Sequence, residues 1–206
     1  RYAMSAMEGE ALADWMYSHG PSAPKEQLEY LQKRIHDLRA DMHRRGIAHN
    51  DSHNGNIYVD SMKNEDGDEE VLDVNFLDFG LASKDRLKAF MEALGGTGEG
   101  GQGDYQLGSP GRYDFLPGYM QTQFDNNRET VRERIREYMS ENDYDDYDVE
   151  SADFEDMFEG GIRMPEYRLE ALADSHPFLG DEDFLEEIID SLYGGFGTDL
   201  SKYQDK

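Results

Sequence analysis

Asp51, Asn56 five residues later and Asp78, 27 residues after Asp51, set three oxygen-bearing side chains at spacings that suit one kind of reaction. A carboxylate such as Asp51 can orient and deprotonate a hydroxyl. Asn56 and Asp78 offer hard oxygens of the kind that hold magnesium against nucleotide phosphates. The three lie in His49-Asn50-Asp51-Ser52-His53-Asn54-Gly55-Asn56 and in Asp78-Phe79-Gly80. Transfer of a terminal phosphate to an alcohol is the chemistry that these types in this order would serve, by positioning and charge neutralisation rather than through a covalent intermediate.

Such side chains need elements that fix them. Ahead of Asp51, residues 25–45 carry Leu28, Leu31, Ile35, Leu38 and Met42 at alternating spacings of three and four, which predicts a helix with one buried face. Gly46 ends it. After the loop, residues 56–60 and 71–77 read as two short strands around an acidic turn over 61–70, an insertion that a hairpin tip tolerates at little cost. Residues 84–94 and 126–139 have helical spacing, and 167–174 and 183–193 predict two final amphipathic helices, the last with Phe184, Leu185, Ile188, Ile189 and Leu192 on one face. The fold class expected is mainly α with short β-hairpins, an α+β arrangement. No internal repeat is apparent.

Helix, His-x-Asp loop, Asn five residues after the Asp, hairpin and Asp-Phe-Gly occur in the order of the catalytic core of the protein-kinase-like superfamily, which residues 1–83 resemble. The resemblance implies a kinase-like large (C-terminal) lobe. It makes Asp51 the catalytic base, Asn56 and Asp78 the magnesium and nucleotide ligands, and His49 and Phe79 packing supports of the loop. Residues 2–12 look like the fifth strand and hinge of a kinase, which would make the Ser5 carbonyl and the Met7 amide the adenine contacts. Gly108-Ser109-Pro110-Gly111-Arg112-Tyr113 is similar to the end of an activation segment, although no Ala-Pro-Glu follows. The implied organisation is a single large lobe over 1–206, with a hinge-like segment at 1–9, a catalytic core at 10–83, an activation-segment-like Gly-rich linker at 84–120 and a divergent helical remainder at 121–206.

Departures from the family pattern bear on mechanism. Asn50 stands where many regulated kinases have an Arg that pairs with a phosphorylated activation segment, so no such phosphate switch is expected. His53 stands where Ser/Thr kinases place a Lys near the transferred phosphate. This resembles the atypical and small-molecule branches, such as the aminoglycoside phosphotransferase-like kinases, and it assigns His53 to the transferred phosphate with a pH-dependent charge. The small lobe, with its Gly-rich loop and strand Lys, does not precede the hinge-like segment. The Gly-rich residues 95–103 do not replace it: they follow a helix, carry Glu99 and have no Lys from position 89 through 201.

Composition narrows the setting. Against 20 basic residues stand 46 acidic ones, a formal charge of -26, and the balance resembles that of haloarchaeal proteins. Concentrated salt shrinks the Debye length to about 3 Å and quiets the self-repulsion of such a surface. An acidic protein for basic partners is the alternative. Disorder is disfavoured by 13 Tyr and 10 Phe. With no basic stripe, nucleic acid is not an expected partner, and no apolar run is long enough to span a membrane. No Cys is present, which excludes disulfides and thiolate chemistry. No secretion signal is visible. The expected location is the high-salt cytoplasm of a halophile or a virion.

Other residues read as structural. Trp15 is a buried anchor; His19, His36, His43 and His176 read as surface residues; Asp60 and Asp73 read as exposed strand-end carboxylates. The acidic residues 141–156 lack the Gly turn and ligand spacing of a calcium loop and read as a solvated stretch. Three functional readings follow. The first is an ATP- and Mg2+-dependent phosphotransferase acting on a protein or small-molecule alcohol, its small lobe supplied upstream or by a partner protein. The second is a noncatalytic, pseudokinase-type interaction or structural module, part of a larger or viral assembly. The third is a phosphate-independent binding domain sharing only the large-lobe helices.

Overall fold

A computed structural model of the chain describes residues 9–52, 54–94, 118–144, 147 and 166–194. The 20-residue helix α2 (Lys25–Arg44) turns two different faces inward. Near its N-terminus Leu28, Leu31 and Ile35 are buried against α1 (Leu12–Ser18) and the sheet, in a core with Leu12, Trp15, Ile57, Val59, Val71 and Val74. Toward its C-terminus the buried positions become Arg39, Ala40 and His43, facing α3 (Arg86–Leu94) and a second, helical core. Leu38 and Met42, predicted on the single apolar stripe, are only half-buried. The inward face shifts along α2 because its partner changes from a sheet to helices.

Gly46 adopts φ +67°, its amide bonds to the His43 carbonyl at 2.9 Å, and α2 stops as expected. The chain then runs through β2 (Ile47–Ala48), which pairs antiparallel with β5 (Ser83–Lys84). A second antiparallel sheet has the order β1-β3-β4, from β1 (Glu10–Ala11), β3 (Ile57–Lys63) and β4 (Glu69–Phe76). Gly9 has no room for a side chain beside it: with φ +124°, a Cβ there would lie 2.6 Å from the Val59 carbonyl oxygen. Side chains of α2 reach the middle of the outer edge of β4. Gln27 accepts from the Val71 amide at 2.8 Å, Tyr30 donates to the Leu72 carbonyl at 3.5 Å, and Arg34 reaches Asp73 at 3.3 Å.

The β3–β4 hairpin corrects the expected turn over 61–70. Ser61, Met62 and Lys63 continue the ladder opposite Val71, Glu70 and Glu69, after an irregularity between Asp60 and Ser61. The remaining turn is closed by Asn64, whose side chain accepts from the Asp66 and Asp68 amides, with Gly67 at φ +89°. Asp60 and Asp73 are therefore mid-strand partners, not exposed strand ends. Trp15 is fully buried and donates to the Ser61 hydroxyl at 2.9 Å.

The helical core joins α3 to α4 (Gly118–Glu141), α5 (Glu166–Ser175) and α6 (Glu182–Leu192). Val131, Ile135 and Met139 of α4 meet Phe184, Leu185, Ile188, Ile189 and Leu192 of α6 around Phe90 and Phe178. Asp181 caps α6 by accepting from the Phe184 amide at 3.0 Å, as the helix N-terminus prefers. The architecture is thus mainly helical with short antiparallel strands, an α+β fold. Among the described residues, no helix is long and apolar enough to cross a membrane.

Candidate active site

Residues 49–52 are held from below by one carboxylate. Glu92, buried on α3, accepts the His49 amide at 2.6 Å and the Asn50 amide at 3.3 Å on Oε2, and the Ser52 hydroxyl at 2.7 Å on Oε1. Arg39 of α2 donates to the same Ser52 hydroxyl at 3.3 Å, and His43 brings Nε2 to 3.5 Å from Oε2. Burial by itself raises the Glu92 carboxyl, but the His43 imidazole, the Arg39 guanidinium and the Ser52 hydroxyl outweigh it and hold the group at about 2. The His43 imidazole is pushed down by complete burial. Glu92 is therefore the ionised partner and His43 the neutral one. His36, one turn earlier on α2, is driven by burial and then by the Arg39 charge to about 3.

Asn50 takes the left-handed conformation, φ 61°, and its side-chain amide donates to the Leu81 carbonyl at 2.9 Å and the Ser83 hydroxyl at 3.0 Å. Asn50 is thus a loop clamp that fastens the segment beyond Asp78. Asn tolerates this backbone better than most residues because its short polar side chain bonds locally.

The other half of the site is gathered around Leu77. Its amide donates to the Asn56 carbonyl at 2.8 Å, and its carbonyl lies 2.8 Å from His49 Nε2. One backbone unit therefore ties the His49 loop to the start of β3 and to the end of β4. From the 3-10 turn Asn54–Asn56, the Asn56 side-chain nitrogen donates to the Asp51 carbonyl at 2.9 Å and to its carboxylate at 3.2 Å. That orientation leaves the Asn56 side-chain oxygen as the atom available to a cation. Asp78 follows Leu77 directly in a left-handed conformation, φ 54°, exposed, with its carboxylate accepting the Gly80 amide at 3.3 Å.

The structure brings Asp51 and Asn56 into direct contact and sets Asp78 one residue past the bond that joins the strands. His53, Ser5 and Met7 lie outside the described residues, as do the Gly-rich linker and the residues 108–113. His49 is fully buried with its ring 4.7 Å from that of Phe79 and 5.7 Å from that of Phe76. Phe79 departs from the expected internal packing, since half of its surface is exposed. Among the described residues no group of three or more His, Asp or Glu converges as a metal site.

Sequence reasoning missed the support beneath the loop. His43 and His176, read as surface residues, are buried. Arg39, Ser52, Glu92 and Tyr193 escaped notice. A signal for one was present: Glu92 is a lone carboxylate inside the otherwise apolar run Ala89-Phe90-Met91-Glu92-Ala93-Leu94, where a charge must find a partner. Comparison with models of known protein families gives no match, and comparison with curated proteins gives none either.

Proposed function

We propose that the chain is the large-lobe portion of an ATP-dependent phosphotransferase of the protein-kinase-like superfamily. The observation that carries this reading is the junction at Leu77, through which His49, Asn56 and Asp78 are held at one end of a hairpin with Asp51 bonded to Asn56. Asp51 is the group that orients the acceptor hydroxyl and takes its proton. The Asn56 amide holds that carboxylate in place. Asn56 and Asp78 present the hard oxygens that suit magnesium, which when bound would neutralise charge on the nucleotide phosphates. His53 is assigned to the transferred phosphate, and the Ser5 carbonyl and Met7 amide to adenine. The acceptor is a protein or small-molecule alcohol, and a small lobe comes from an upstream segment or a partner protein. The charge of -26 favours a working environment of concentrated salt.

A second reading, a noncatalytic interaction module of kinase descent, is favoured by one feature: the Asp78 carboxylate is turned onto its own Gly80 amide. Calorimetric titration of magnesium-ATP into the chain in molar KCl separates the two. Binding that Asp78→Asn abolishes supports the phosphotransferase; no binding by a folded sample leaves the noncatalytic module.

A further inference from the structure

We propose that Tyr193 and His43 are positioning residues for the candidate site, acting through Glu92 on the backbone of residues 49–52. The kinetic consequence rests on the phosphotransferase reading; the mechanical one does not.

Tyr193, His43 and Glu92 stand in line, joined by one hydrogen bond at 2.6 Å and one ion-pair approach at 3.5 Å that is too long for a hydrogen bond. Tyr193, at the C-terminal end of α6, is buried with its ring between those of His36 and His43, at centroid distances of 5.0 and 5.7 Å. Its hydroxyl lies 2.6 Å from His43 Nδ1. On the far side of the same imidazole, Nε2 is 3.5 Å from Glu92 Oε2, the atom to which the His49 and Asn50 amides donate. A neutral imidazole carries one proton. Facing a carboxylate, that proton belongs on Nε2, which makes Nδ1 an acceptor and requires the Tyr193 hydroxyl to donate. The alternative tautomer would set an Nε2 lone pair against the Oε2 charge and oppose Nδ1–H to the hydroxyl.

The Tyr193 hydroxyl therefore selects the His43 tautomer. That tautomer in turn sets where Oε2 can rest, and Oε2 sets the two amides that lead into Asp51. The far end of the chain is fixed too. Asn127 of α4 donates to the Leu192 and Gly194 carbonyls at 2.8 and 2.7 Å, gripping the backbone on both sides of Tyr193. A residue 150 positions from His43 in sequence thus reaches the catalytic loop through three polar steps.

The test uses the full chain in molar KCl and two readouts independent of catalysis. In the unaltered protein, nitrogen NMR of the His43 ring is expected to show the Nε2–H tautomer; the Nδ1–H tautomer would overturn the proposal without any variant. In Tyr193→Phe, which keeps the ring, the His49 and Asn50 amides are expected to exchange with solvent at least about tenfold faster while β3 and β4 amides keep their protection. Unchanged exchange at those two amides would overturn the proposal as well. Where turnover is measurable, Tyr193→Phe should lower kcat with KM for nucleotide unchanged. Failure to bind magnesium-ATP would sink the phosphotransferase reading alone, leaving the tautomer and exchange results to decide the relay.

Discussion

Residues 49–52 and residues 78–81 face each other across the candidate site and are secured by opposite means. The first segment has two amides and a hydroxyl bonded to a buried carboxylate, backed by Arg39 and His43. The second turns Asp78, Phe79 and Leu81 outward. It is held by local bonds from the Gly80 amide to Asp78 at 3.3 Å and from the Ala82 amide to the Phe79 carbonyl at 3.1 Å, by the ring contact of Phe79 with His49 and by the Asn50 clamp on the Leu81 carbonyl, with no buried charge beneath it among the described residues. Under the proposed phosphotransferase reading, the difference matches what each segment would do. A group that must meet a hydroxyl in one geometry gains from a fixed backbone, whereas a metal ligand can remain loose until charge arrives to order it. Segments that order on binding come from the weakly held part of a fold.

The largest effect that could break this contrast is at Glu92. Glu92→Ala leaves two amides and the Ser52 hydroxyl without their shared acceptor and the buried Arg39 charge without its nearby counter-charge, and should cost about 3–5 kcal/mol in denaturant melts at high salt. A cost under about 1 kcal/mol would mean that the loop is not carboxylate-anchored. Next comes acid. His36 is held near 3 when folded against about 6.5 unfolded, so the unfolded chain takes up a proton that the folded one refuses and stability falls as pH drops from 6.5 toward 3. Glu92, held near 2 against about 4.5, adds a loss of the same sign from 4.5 toward 2. Melts against pH should therefore steepen below 4.5, each group contributing at most about 1.4 kcal/mol per unit, and His36→Gln should flatten the upper part of the curve.

Smaller and more diagnostic is Asn50→Ala, which keeps φ near +61° without the local bonds and should cost about 2 kcal/mol by thermal melting. Smallest is Asp78→Asn, which tolerates the left-handed φ of 54° that Ala would not. It should change stability by no more than about 1 kcal/mol while abolishing calorimetric magnesium-ATP binding. A large stability loss there would erase the distinction between the two segments.

Sequence pattern revealed what repeats or punctuates. Leu28, Leu31 and Ile35 announce α2, Gly46 announces its end, and Asp51, Asn56 and Asp78 are visible by type and spacing. Ser61 to Lys63 were lost to the turn because the irregularity at Asp60/Ser61 breaks the alternation that marks a strand. The β2 and β5 strands are two residues each, too short for any period to register. Glu92 was illegible for another reason: its partners are backbone amides, which have no sequence identity, from a segment 43 residues earlier. His43 looked like a surface residue because its reason for burial, Tyr193, lies at the other end of the chain.

The partly occupied outer edge of β4 has a consequence for how this sheet meets another strand. Many sheet proteins guard an open edge with charged side chains that repel an approaching strand. In concentrated salt that guard fails, because repulsion dies away within about 3 Å. Gln27 and Tyr30 work by occupancy instead: in the middle of the edge, the Val71 amide and the Leu72 carbonyl are already taken by groups from α2. The protection is steric and bonded, so it survives the ionic strength at which an acidic surface no longer keeps molecules apart.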